Sequence, residues 1–269
     1  MGPQVMGVLN VTPDSFSDGG AWADVDAAVE HGLALLAEGA HVLDVGGEST
    51  RPGAAPVGVD EEIARVVPVI ERLAPAVVQA GRRLSVDTRH PEVARAAVAA
   101  GASIVNDVSA SLEEVAAEAG AGWVAMHMRG EPATMQDDPR YDDVVGEVGA
   151  FLAAAARRGR DAGVEELWVD PGIGFGKTAA HNWELLASLD RLVAGGVPVL
   201  VGTSRKGFLG AALAEADGSE VPPGPDDRLE GSITTAVWAA TMGAAMIRVH
   251  DVRATVAALD AAASAGAAG

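Results

Sequence analysis

Polar side chains able to bind or orient a ligand recur in this chain at one kind of place, the end of a short apolar run. Asn10 closes VMGVLN, Asp44 and Glu48 follow HVL, Asp87 closes LSVD, and Asn106 and Asp107 close SIVND. Further on, His127 closes WVAMH, Asp170 closes LWVD, Ser204, Arg205 and Lys206 follow VPVLVGT, and Arg248 and His250 close AMIRVH. Any one of these residues alone is an ordinary helix cap or turn former. Capping does not account for all eight places together. Two chemistries stand out. Asp87, Asn106 and Asp170 offer acceptors and an amide suited to the NH and NH2 edge of a flat nitrogen heterocycle. Arg51, Arg205, Lys206, Arg248 and His250 offer guanidinium forks and point charges suited to phosphate oxygens.

The elements that must position these groups follow from periodicity. Eight apolar runs start near Val5, His41, Leu84, Ser103, Trp123, Leu167, Val197 and Ala245. Between them lie stretches of helical period such as AAVEHGLALLAEG and PEVARAAVAAG, several closing on glycine. Strand and helix alternating eight times predict an α/β fold, a single (β/α)8 barrel over residues 1–269, since such barrels take about 250 residues. Their chemistry sits at the C-terminal ends of the strands, where the polar residues gather. Residues 11–23 and 48–59 are rich in Gly, Pro, Ser and Asp and read as long active-site loops after strands 1 and 2. Residues 217–227 read as a polar segment preceding an added helix.

Composition narrows the classes. The 269 residues carry 38 acidic and 19 basic side chains, a formal charge of −19, which repels a phosphate backbone and argues against nucleic-acid binding. An anionic ligand therefore needs a local basic pocket. There is no cysteine, which removes disulfides, thiolate nucleophiles and iron–sulfur clusters and fits a reducing cytoplasm. No run reaches the roughly 18 apolar residues of a membrane span, and the start lacks a basic leader. Lys177 and Lys206 are the only lysines, every other basic side chain outside histidine being arginine. Lys177 lies in GIGFGKT, which imitates a phosphate loop but has Pro171 where the first glycine belongs. It also fails as a dinucleotide fingerprint, because the third glycine position is Lys177 itself.

The ordered set MGVLNVTPDSFSDGG, LDVGGESTRPGA, SVDT, NDVSA, MH, DPGIGFGK, GTSRK and RVHDV, almost end to end, resembles the dihydropteroate synthases of the pterin-binding barrel family. That resemblance implies condensation of (7,8-dihydropterin-6-yl)methyl diphosphate with 4-aminobenzoate to give 7,8-dihydropteroate and pyrophosphate. It implies that Asp87, Asn106 and Asp170 bind the pterin ring, with Lys206 on its carbonyl oxygen and Met126 packing nearby. Asn10, Thr50, Arg248 and His250 would hold the diphosphate, Asn10 as a Mg2+ ligand. Phe16, Thr50, Pro52, Phe175 and Ser204 would line the aminobenzoate site. Asp18 and Arg51, on the two long loops, would join Lys206, Arg248 and His250 in the catalytic group. No protein nucleophile is implied. The second loop, STRPGA without insertion, resembles that of drug-sensitive members. A cytoplasmic homodimer is a further implication of the resemblance. The alternatives are a methyltetrahydrofolate:corrinoid methyltransferase-like barrel, which has no use for a diphosphate pocket, and a pterin-binding paralogue without activity.

Overall fold

The structure, a computed structural model, describes residues 2–12, 21–49, 56–132 and 134–266. Eight strands appear where the apolar runs predict them: β1 Gln4–Asn10, β2 Val42–Gly46, β3 Arg83–Asp87, β4 Ile104–Asp107, β5 Gly122–Met126, β6 Leu167–Asp170, β7 Leu200–Val201 and β8 Met246–Val249. All pair in parallel, in the order β6-β5-β4-β3-β2-β1-β8-β7. A single bridge, Val169 to Val199, joins the two edges and completes the ring of a (β/α)8 barrel. The seventh strand is shorter than its apolar run, because the chain turns away at Gly202 after two paired residues.

Between the strands lie α1 Ala21–Ala37, α2 Val59–Gln79, α3 Pro91–Ala100, α4 Glu113–Glu118, α5 Val144–Ala162, α6 Ala179–Ala187, α7 Leu189–Val193, α8 Gly207–Asp217 and α9 Leu229–Thr241, with α10 Val252–Gly266 after β8. The polar segment 217–227 is flanked by helix on both sides, running from the end of α8 through a short 3-10 turn at Pro225–Asp227 into α9. Local signals set several starts. Pro91 opens α3 at a position where its missing N–H costs nothing, and Asp143 caps α5 by accepting from Gly146 N at 2.9 Å. In α2, Pro68 and Pro75 lie inside the helix. Burial of Val66, Val69, Ile70, Leu73 and Val77 carries it past them.

The strand period of two then aims the chemistry. Met6, Val42, Ile104, Val124, Leu200 and Met246 pack together inside the barrel against Trp168. A step of two residues from five of these inward positions reaches Asp44, Asn106, Met126, Arg248 and, from Trp168, Asp170. The same side chains that fill the barrel therefore dictate what faces its mouth.

Candidate functional site

The floor of the mouth is a chain of paired charges from four strands. Arg248 Nε donates to Asp44 Oδ2 at 2.6 Å, and its Nη2 donates to Asp87 Oδ2 at 2.7 Å. Asn106 Nδ2 donates to the same Asp44 oxygen at 2.9 Å. Asp44 is fully buried, and among the described residues its Oδ1 has no partner. Register explains the gathering, since Asn10 lies opposite Gly46, Gly46 opposite Asp87, and Asp87 opposite Asn106. Burial pushes the Asp87 carboxyl up to about 7 against the pull of Arg248, with Asp44, Glu62 and Glu48 adding to the rise. Burial opposes the charge on Arg248 too, but Asp44 and Asp87 more than offset it and hold the guanidinium protonated. Asp44 is the residue that sequence reasoning left at a strand end without a role. The signal that could have found it is its place two residues beyond inward-facing Val42.

Opposite Met126 on the neighbouring strand stands Asp170, whose Oδ1 accepts from Gly172 N at 2.7 Å. Burial raises this carboxyl above the usual range, against the pull of Lys206 and the Gly172 N–H. Lys206 donates its Nζ to Ile173 O and lies 4.7 Å from the centre of the Phe175 ring. Burial lowers its ammonium to about 8, with Asp170 working the other way. The glycines of GIGFGK find their reason here. Gly172 and Gly176 have φ of +64° and +60°, and a Cβ on them would lie 1.8 Å from His127 O and 2.2 Å from Arg129 O. Close passage of one loop over another, with left-handed backbone, requires glycine there.

Several expected positions resolve differently. Arg205, read as part of the anion pocket, turns outward to Asp251, at 2.7 and 3.1 Å, and to Asp226 at 2.5 Å. Its left-handed backbone, φ +61°, turns the side chain away from the mouth while the next residue, Lys206, turns in. Asp107 anchors a turn, accepting from Ser109, Ser111 and Leu112 N–H groups and from Trp123 Nε1. His127 is buried against Phe151 and held neutral, pushed down to about 3 by burial and by Lys177. Ser204 Oγ lies 3.0 Å from His250 Nδ1 and accepts from His250 N at 3.2 Å, tying the end of β7 to the end of β8. Phe16, Asp18, Thr50, Arg51 and Pro52 lie outside the described residues.

Asn10, at the end of β1, offers an amide oxygen of the kind a hard divalent cation takes. A Cβ added to Gly46 would stand 3.8 Å from Asn10 Oδ1 and 3.7 Å from Asp87 Oδ2, ordinary contact distances, and that Asp87 oxygen already accepts from Arg248 Nη2 at 2.7 Å. Magnesium takes such oxygen donors and keeps waters or substrate oxygens for the rest. A second group, Glu48, Glu62 and His90, also brings ligand atoms within 4.8 Å of one another. Its cation is already present as a side chain. Arg89 grips both Glu48 oxygens at 3.0 Å, and His90 Nδ1 meets Glu62 at 2.7 Å.

An acceptor-lined floor beside a lysine and an arginine, at the C-terminal end of a (β/α)8 barrel, defines a barrel enzyme for a flat nitrogen heterocycle. The sequence profile of the pterin binding enzymes matches residues 6–250. The dihydropteroate synthase of Mycobacterium leprae is 51% identical over 264 residues, covering 95% of this chain and 91% of that one. The Yersinia pestis dihydropteroate synthase, solved with a sulfonamide drug complex, superposes with a TM-score of 0.89 at 44% identity, over 99% of this chain and 95% of that one. The Xanthomonas albilineans dihydropteroate synthase, solved with 4-aminobenzoic acid, gives a TM-score of 0.87 at 50% identity, over 98% and 93%. The chain belongs to the pterin binding enzymes and, within them, to the dihydropteroate synthases.

Proposed function

We infer that the chain joins (7,8-dihydropterin-6-yl)methyl diphosphate to 4-aminobenzoate, releasing pyrophosphate and 7,8-dihydropteroate. The observation that carries this reading is the juxtaposition of a carboxylate-and-amide floor with Lys206 and Arg248 at one barrel mouth. Asp87, Asn106 and Asp170 accept from and donate to the pterin edge, and the unpaired Asp44 Oδ1 adds an acceptor beneath it. Lys206 donates to the ring carbonyl. Met126 packs against the ring. Arg248 and His250 hold the diphosphate and stabilise the charge it gains as the carbon–oxygen bond to the methylene breaks. The aniline nitrogen then attacks the methylene carbon and loses a proton to solvent or to the diphosphate. No side chain needs to become covalently attached.

Asn10 would hold Mg2+, whose charge would favour departure of the diphosphate. The long loops, with Phe16, Asp18, Thr50, Arg51 and Pro52, close over the centre and exclude water, and Phe175 and Ser204 complete the aminobenzoate side. A cytoplasmic homodimer of one-domain chains completes the proposal, and sedimentation velocity measures the dimer directly. Among the described residues no helix is long and apolar enough to cross a membrane.

The deciding assay follows pyrophosphate release and dihydropteroate with the pterin diphosphate and Mg2+, with and without 4-aminobenzoate. Aminobenzoate-dependent product is expected. Tight pterin binding without product would favour the inactive paralogue instead. Sulfonamides should compete with aminobenzoate, raising its KM without lowering kcat; uncompetitive inhibition would sink the slot as described.

A further inference from the structure

The segment between β6 and α6 is held from outside by side chains to which the reaction above gives no role. Lys177 is only 2% exposed, so its ammonium does not reach a ligand in the mouth. Its Nζ lies 3.0 Å from Gly172 O, 3.0 Å from Phe175 O and 2.9 Å from His127 Nδ1. Three near acceptors, with His127 O more distant at 3.5 Å, surround this one nitrogen. Further along, Tyr141 Oη donates to Gly176 O at 3.0 Å, and Gln136 Nε2 donates to Gly174 O at 2.5 Å. The opposite face of the same five residues points to the site, through Ile173 O on Lys206 and the Phe175 ring beside that ammonium.

We propose that Lys177 is a positioning residue for the aromatic amine substrate: by gathering the carbonyls of Gly172 and Phe175 onto one ammonium, it fixes the Phe175 ring beside Lys206 and so sets the slot the second ring enters. The proposal rests on the functional reading above, in which Phe175 faces aminobenzoate. Arginine cannot substitute, because a planar fork does not converge on three acceptors around one nitrogen. Neutral side chains of similar length fill the space but remove the donor from Phe175 O and leave Gly172 O with Phe175 N at 3.0 Å, so the turn relaxes and carries Phe175 with it. Among the described residues the part of the pterin floor on β2, β3, β4 and β8 has no bond to Lys177 and keeps its geometry, whereas Asp170 and Lys206 touch the turn through Gly172 N and Ile173 O.

The test is steady-state kinetics of Lys177→Met, Tyr141→Phe and Phe175→Ala beside the unaltered enzyme. Lys177→Met is expected to raise the aminobenzoate KM about tenfold or more, with a smaller rise in the pterin diphosphate KM, since only Asp170 and Lys206 of the pterin residues touch the turn. Tyr141→Phe removes one bond from the far end of the turn and should shift the same KM about two- to fivefold, which keeps the proposal falsifiable if Lys177→Met does not fold. The absence of natural cysteine permits a rescue. Lys177→Cys, aminoethylated while unfolded and then refolded, rebuilds a lysine-like ammonium at that site alone and should restore most of the lost aminobenzoate affinity. An unchanged aminobenzoate KM in both Lys177→Met and Tyr141→Phe overturns the proposal, as does a parallel rise of both KM values that aminoethylation does not reverse. If Phe175→Ala leaves the aminobenzoate KM unaltered, the slot itself is misplaced and the proposal falls with it. Absence of product from the unaltered enzyme would instead overturn the functional reading on which it stands.

Discussion

The two sides of the barrel mouth are built on opposite plans. On the β2, β3, β4 and β8 side, side chains bond to side chains, and the partners are distant in sequence, 204 residues apart for Arg248 and Asp44 and 161 for Arg248 and Asp87. On the β6 side, side chains bond to backbone carbonyls of one glycine-rich turn. The floor is a network of buried charges in which each member depends on the others. The turn is a shaped backbone that can be loosened step by step. A fixed floor suits a substrate that must be oriented before a bond breaks, and an adjustable wall suits the ring that attacks it.

The largest test of that contrast is Arg248→Met, which strands two buried carboxylates and should cost about 3–5 kcal/mol of stability as well as activity. Urea unfolding measures it, and a midpoint near that of the unaltered protein would mean the floor is not cross-linked as described. Next comes Lys206→Ala, expected to lower kcat/KM by about 100- to 1000-fold while the barrel stays folded. Unchanged kinetics would remove Lys206 from the site. On the turn, Gly172→Ala meets both a positive φ and a carbonyl 1.8 Å from the new Cβ. It should cost about 1–3 kcal/mol of stability by urea unfolding and lower turnover by at least tenfold, and pterin binding by titration calorimetry should weaken as well, because Gly172 N holds Asp170.

The smallest effect is a pH dependence confined to the floor. With Asp87 raised to about 7 by burial, the folded protein holds a proton that the unfolded chain releases near pH 4. Stability contributed by this group is therefore full below about pH 4 and is lost as pH rises to about 7. Pterin affinity should move the other way, falling up to about tenfold per pH unit below 7 as the acceptor becomes protonated. Asp87→Asn should flatten that slope, and an unaltered slope would show that another group titrates.

Much of the floor was legible because a strand has a period of two. Asp87, Asn106, Asp170 and Arg248 sit at strand ends in the sequence, and the barrel turns all four toward one mouth. Asp107, next to Asn106, reads identically in the sequence yet turns outward and ties down a turn, by the same alternation. Arg205 was misread for a different reason. Ser-Arg-Lys displays two adjacent cations, and only the left-handed backbone at Arg205 separates them, sending one to Asp251 and the other to Ile173. Lys177 was conspicuous as one of two lysines but carried no visible task, because its partners are mainly main-chain oxygens that every residue possesses.

By itself, the sequence determined the barrel and the chemical types gathered at the strand ends. Those properties follow from hydrophobic periodicity and turn chemistry, which act over a few residues. Only the tertiary structure decided that one arginine would join Asp44 and Asp87, that GIGFGK would be glycine-rich to pass beneath two carbonyls, and which of two neighbouring cations would face the mouth. Each of these depends on the distance between groups remote along the chain, which closure of the barrel alone establishes.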